Sequence, residues 1–77
     1  MKAVLWSKYH CPYCDQAKQL LITKGYQIEE RKIGDGYSKE ELLEAVPNAR
    51  TVPQIFLDDA LVGGFDDLKK YFNKVIV

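Results

Sequence analysis

The sequence predicts a mixed α/β domain with the element order β-α-β-α-β-β-α, in which a four-stranded mixed sheet is covered by three helices. Three patterns lead there. Short apolar runs at residues 2–7 and 52–57 have strand length, apolar residues recur at helical spacing after Pro12 and again after Asp66, and Asp58-Asp59 separates two apolar runs as a two-residue turn.

Residues 2–7, KAVLWS, centre on Val4 and Leu5 between polar ends and read as a buried strand. From Pro12 the period changes. Ala17, Leu20, Leu21 and Lys24 follow helical spacing, Pro12 suits a first turn, and Gly25 sits where a helix stops. Residues 26–33, YQIEERKI, keep only Ile28 and Ile33 as apolar anchors, a pattern that suits an edge strand. Gly34-Asp35-Gly36 is a turn, Ser38 followed by Glu41 is a capping-box pattern, and Leu42, Leu43 and Val46 form a stripe that Pro47 ends. Residues 52–57 and 60–62 pair as a hairpin that Gly63-Gly64 breaks, with Asp66 as the expected N-cap of a closing helix marked by Leu68, Tyr71, Phe72 and Val75. The first β-α-β unit needs parallel strands and a right-handed crossover whereas the hairpin is antiparallel, so the sheet is mixed.

At 77 residues the chain reads as one domain over residues 1–77, and its 47% hydrophobic content is too high for a disordered segment. Eleven Lys and Arg balance eleven Asp and Glu and are scattered, so no net field exists to hold a polyanion and nucleic acid is not an expected partner. The opening MKAVLWSKYH has one lysine before a short apolar run and no small-residue cleavage site, and no segment reaches membrane-spanning length. The expectation is a soluble, cytoplasmic protein that is monomeric and does not engage membranes.

Both cysteines lie in KYHCPYC, residues 8–14, at the first strand-to-helix junction. As a staple, a bridge between residues so close closes almost no loop and stabilises little. A structural zinc site takes four ligands, and the chain offers Cys11, Cys14 and the single His10, so a metal site would need a second chain or an external thiol; no metal is expected. The redox reading gains from placement. Free N–H groups and the dipole at a helix start favour a thiolate at Cys11, Lys8 adds a positive charge, and Pro12 fixes the first turn without removing a needed donor. Cys14, one turn further in and less exposed, is placed to attack a mixed disulfide on Cys11.

CPYC in this setting, followed in order by Thr51-Val52-Pro53-Gln54-Ile55-Phe56 and Gly63-Gly64-Phe65-Asp66-Asp67-Leu68, resembles the dithiol glutaredoxins of the compact bacterial or phage type over essentially the whole chain. The resemblance implies a thioredoxin-like fold and a glutathione-dependent thiol–disulfide oxidoreductase that acts on protein disulfides and glutathionylated thiols. Glutathione is then the reducing co-substrate, no cofactor is bound, and ribonucleotide reductase is among the candidate clients. It also implies a cis Pro53 that turns the Val52 backbone outward to pair with the cysteinyl unit of glutathione, with Thr51 as a neighbouring contact. Lys8 would approach the glycyl carboxylate and Tyr13 would flank the tripeptide. At the γ-glutamyl end, Gly64 permits close approach, the N–H groups of Phe65, Asp66 and Asp67 would take the carboxylate, and Asp66 or Asp67 the ammonium. Phe65 stands where many members have cysteine, and His10 where many have threonine or serine.

Two rivals keep the same fold. A redoxin reduced by thioredoxin reductase would not need the Lys8, Thr51 and Asp66 set. An iron–sulfur module would combine Cys11 of two chains with two glutathiones, and the stiff Pro12 argues against it.

Overall fold

The computed structural model describes the backbone of residues 1–75 and the side chains of residues 1–73. Its elements are β1 (Lys2–Lys8), α1 (Pro12–Thr23), β2 (Gln27–Ile33), α2 (Lys39–Ala45), β3 (Gln54–Leu57), β4 (Ala60–Gly63) and α3 (Phe65–Val75). The sheet order is β2-β1-β3-β4. β1 runs parallel to β2, while the β1–β3 and β3–β4 pairs are antiparallel, which is the expected mixed sheet with the charged β2 at one edge.

Alternation along β1 divides the core. Ala3 and Leu5 face α1 and α3, where they pack with Ala17, Leu21, Ile55, Leu57, Leu68 and Phe72. Trp6 faces the other way, onto Leu42 and Val46 of the α2 side. Three helices therefore cover both faces of the sheet, as in thioredoxin-like folds. Because β1 is central and its C-terminal end leads directly into the cysteines, the best-buried strand is also the one that aims the site.

Local sequence explains most boundaries. Ser38 Oγ accepts from the Glu41 N–H at 3.2 Å and Glu41 Oε1 accepts from the Ser38 N–H at 3.1 Å, so both halves of the capping box form. Asp58 and Asp59 adopt φ of 48° and 71°, the two left-handed residues that a tight hairpin turn requires. Two expectations are corrected. β3 starts at Gln54 and not at residue 52, since Pro53 has no N–H to give a ladder; the Val52–Pro53 peptide bond is cis, as the resemblance implies. Asp66 is not the N-cap of α3: the helix begins at Phe65, and the Asp67 carboxylate reaches back to accept from the Gly64 N–H at 3.3 Å. Leu68 and Phe72 are buried as the stripe predicts, whereas Val75 falls outside the described side chains.

Leu21 is fully buried between α1 and the sheet. Leu21→Ala should lower stability by about 2–5 kcal/mol, read as a fall in the urea midpoint; an unchanged midpoint would mean that α1 is not anchored by this contact.

Candidate active site

β1 ends at Lys8, and His10 takes a left-handed φ of 56° that turns the chain into α1. Cys11 is then the N-cap and Pro12 the first helical residue, whose missing N–H would have been unsatisfied there anyway. The Cys14 N–H donates to Cys11 Sγ at 3.1 Å. A sulfur thus occupies the place where a serine or aspartate oxygen usually caps a helix, and negative charge on it is favoured by that N–H and by the dipole. The two sulfurs form a disulfide. Both cysteines are buried, Cys11 8% exposed and Cys14 3%.

Cys11 Sγ also lies 3.9 Å from the Val52 carbonyl oxygen. With no proton on a disulfide sulfur this is a contact and not a hydrogen bond, and it sets Cys11 against the cis-proline turn. That turn is one wall of a cleft of about 380 Å³, built from Thr51, Val52, Pro53 and Gln54. The opposite wall is the start of α3, at Gly64, Phe65, Asp66 and Asp67, and Tyr13 closes the side next to α1. The rings of Tyr13 and Phe65 stand 6.1 Å apart, joining the two helices at the rim. The first intrahelical bond of α3 is Leu68 N–H to Gly64 C=O, so the N–H groups of Phe65, Asp66 and Asp67 have no partner within the helix. Polarity is divided accordingly: backbone donors and two carboxylates at the α3 end, backbone carbonyl and amide edges at the proline turn.

The predicted binding residues therefore converge on this cleft, with one exception; neither cysteine lines it, and Cys11 meets it through its contact with Val52. Lys8 lines a separate cleft on the α2 side, which shares Thr51 and Val52 with the first. Gln54 was not anticipated; its side-chain N–H donates to the Thr51 carbonyl at 3.0 Å and braces the wall. Its signal is a polar residue within an otherwise apolar strand. Among the described residues no group of three or more His, Cys, Asp or Glu side chains is gathered to hold a metal, and no helix is long and apolar enough to cross a membrane.

Residues 3–62 match the glutaredoxin family model. The chain belongs to the glutaredoxin family. Glutaredoxin 3 of Escherichia coli is 42% identical over 64 residues, covering 83% of this chain and 77% of that protein. The hybrid peroxiredoxin hyPrx5 of Haemophilus influenzae is 43% identical over 68 residues, 88% of this glutaredoxin but only 28% of the longer relative. Among solved structures, reduced E. coli glutaredoxin superposes with a TM-score of 0.80 at 32% identity, covering 99% of this chain and 98% of that one. The buckwheat glutaredoxin–glutathione complex superposes with a TM-score of 0.79 at 26% identity, covering 95% and 69%. The family and the linked Cys11–Cys14 pair make this glutaredoxin a thiol–disulfide oxidoreductase.

Beneath the site, α1 is clipped to the sheet by a polar chain. Ser7, the residue before Lys8, is 1% exposed and donates to Glu30 Oε2 at 2.8 Å, while Lys18 Nζ, one turn beyond Cys14, donates to Glu30 Oε1 at 3.2 Å. Burial pushes the Glu30 carboxyl up, but the Ser7 and Lys18 hydrogen bonds and the charges of Lys18 and Lys32 outweigh it and hold it below its usual value of 4.5. A folded value below the unfolded one means that Glu30 stabilises the fold above the unfolded value, and that this contribution is lost as pH falls through the folded one. Urea unfolding of Glu30→Gln should accordingly lose less stability than the parent below about pH 5. Identical acid-side slopes would assign the acid sensitivity to other groups.

Proposed function

We propose that this chain is a glutathione-dependent reductase of protein disulfides and glutathionylated thiols, working as a monomeric, cytoplasmic single domain over residues 1–77. Cys11 is the nucleophile and Cys14 the resolving thiol. The reading is carried by the position of the Cys11 sulfur, capped by the Cys14 N–H and set against the Val52 wall of a cleft that ends at the N-terminus of α3. It is supported by the structural neighbour solved as a glutathione complex.

The cleft suits a γ-glutamyl tripeptide in its polarity. The free N–H groups of Phe65, Asp66 and Asp67 take the γ-glutamyl carboxylate and an aspartate beside them takes the ammonium, while Val52 pairs with the cysteinyl backbone as a short added strand. Lys8, on the far side of Thr51 and Val52, takes the glycyl carboxylate, and Tyr13 flanks the peptide.

With a glutathionylated client, the Cys11 thiolate attacks the glutathione sulfur; a Cys11–glutathione bond forms and the client leaves as a thiolate that takes a proton from water. A second glutathione thiolate then attacks the same glutathione sulfur, releasing glutathione disulfide and the Cys11 thiolate. With a protein disulfide, Cys11 first forms a mixed disulfide with the client and Cys14 attacks the Cys11 sulfur. That step frees the client dithiol and leaves the Cys11–Cys14 disulfide seen in the structure, which two glutathiones reduce. Ribonucleotide reductase is a candidate client for the second route.

The direct test is turnover of a small glutathione mixed disulfide with glutathione, glutathione reductase and NADPH as the sole reducing system. Turnover that vanishes in Cys11→Ser is expected, whereas a folded, reduced protein that works only with thioredoxin reductase would overturn the proposal. Cys14→Ser separates the routes: it should retain reduction of glutathionylated substrates and lose at least about tenfold on protein disulfides. Equal losses on both substrates would contradict the division of roles.

A further inference from the structure

Among the described residues only three other than glycine take a left-handed φ, and the hairpin turn accounts for Asp58 and Asp59. The third is His10, at 56°, directly before Cys11. A side chain disfavours that conformation, which persists only where neighbours hold it. Tyr9 is placed to do so. Although it is 52% exposed, its ring is not free: Lys32 Nζ stands 4.7 Å from the ring centroid, and one ring edge, Cδ2 and Cε2, lies 4.0 Å from the point that a Cβ on Gly34 would occupy. The Asp35 carboxylate stands near the hydroxyl, and its charge raises the phenol above its ordinary value. The Gly34-Asp35-Gly36 turn under the ring is itself fixed. The Gly34 N–H donates to the Tyr37 carbonyl at 2.9 Å and the Asp35 N–H to the Lys32 carbonyl at 3.0 Å, while the Tyr37 ring packs edge-on against the buried Trp6, with centroids 5.6 Å apart.

We propose that Tyr9 is a positioning residue for the thiol–disulfide chemistry: its ring, seated on this turn and held by Lys32, keeps His10 left-handed and so aims the Cys11 sulfur at the Cys14 N–H. The inference rests on Cys11 as the nucleophile, part of the proposed function. β1 ends at Lys8 and α1 starts at Pro12, so three residues cross the gap between them. With Tyr9 pinned on one side and Cys11 capping the helix on the other, His10 is left to make the turn. Tyr9 lines neither cleft, so it acts through the backbone and not by contact with the reacting atoms. The restraint reaches the site from the core, through Trp6, Tyr37 and the glycine turn, by a route separate from the packing of α1 on the sheet.

The experiment measures the rate at which iodoacetamide alkylates Cys11 in the reduced full chain at neutral pH, with the label located by mass spectrometry. Each rate is divided by that of the same variant unfolded in urea. Because a cation–π contact at an exposed site and one left-handed residue are both modest effects, Tyr9→Ala should slow Cys11 by about three- to tenfold. Tyr9→Phe keeps the ring against Gly34 and Lys32 and should stay within about twofold of the parent. The deciding variant adds His10→Gly to Tyr9→Ala. Glycine takes a left-handed φ without help, so the rate should return to within about twofold of the parent. Such a rescue separates aim from general loosening, since glycine adds chain freedom and cannot repair a weakened fold. A parental rate in Tyr9→Ala, a Tyr9→Phe variant as slow as the alanine one, or a loss that His10→Gly does not recover would each overturn the inference. A parent labelled chiefly on Cys14 would overturn the proposed assignment of the nucleophile, and the inference along with it.

Discussion

The bond from the Cys14 N–H to Cys11 Sγ is the contact on which the rest of the site depends. It exists only because α1 starts where it does, with Pro12 at the first position and the chain turned at His10 out of the central strand. Ala17 and Leu21 fix the helix on the sheet, and the Ser7–Glu30–Lys18 chain fixes its first half against β1 and β2. Packing some distance from the sulfur thereby decides which way a donor points at it. In a domain this small, with a margin of only several kcal/mol, placing the cysteines at the end of the best-buried strand combines stability and aim in one element.

The residues that line the two clefts differ in charge although the whole chain is neutral. Asp66 and Asp67 stand at the α3 side, and Lys8, Lys39 and Arg50 at the α2 side, with Thr51 and Val52 between them. A zwitterionic peptide meets a polar axis, which fixes orientation more than it adds affinity. The aromatic pair Tyr13 and Phe65 bounds the same space with apolar surface.

Elements whose signals are local were legible in the sequence. Pro12, Gly25, the Ser38–Glu41 box and the Asp58-Asp59 turn each act within a few residues, and each boundary they mark is observed. The start of α3 was misread because its cap is supplied backward by Asp67, and nothing in the spacing distinguishes that from a forward cap at Asp66. The gathering of Thr51 and Gly64 around Tyr13 was expected from family resemblance, since residues so far apart in sequence meet only through sheet order. The second cleft was only partly legible: Arg50, next to Thr51 in sequence, is a candidate partner of Lys8 at the glycyl end, whereas Lys39 reads as an ordinary helix surface residue until α2 folds over Ile33.

The central claim is that the helix start makes Cys11, and not Cys14, the reactive thiol. Reduced protein should therefore be treated at neutral pH with a limiting amount of iodoacetamide and the label located by mass spectrometry, with urea-unfolded protein as the reference. The account predicts that nearly all label falls on Cys11 in the folded protein and is shared between the two cysteines once it is unfolded. Equal labelling in the folded state, or label chiefly on Cys14, would contradict it.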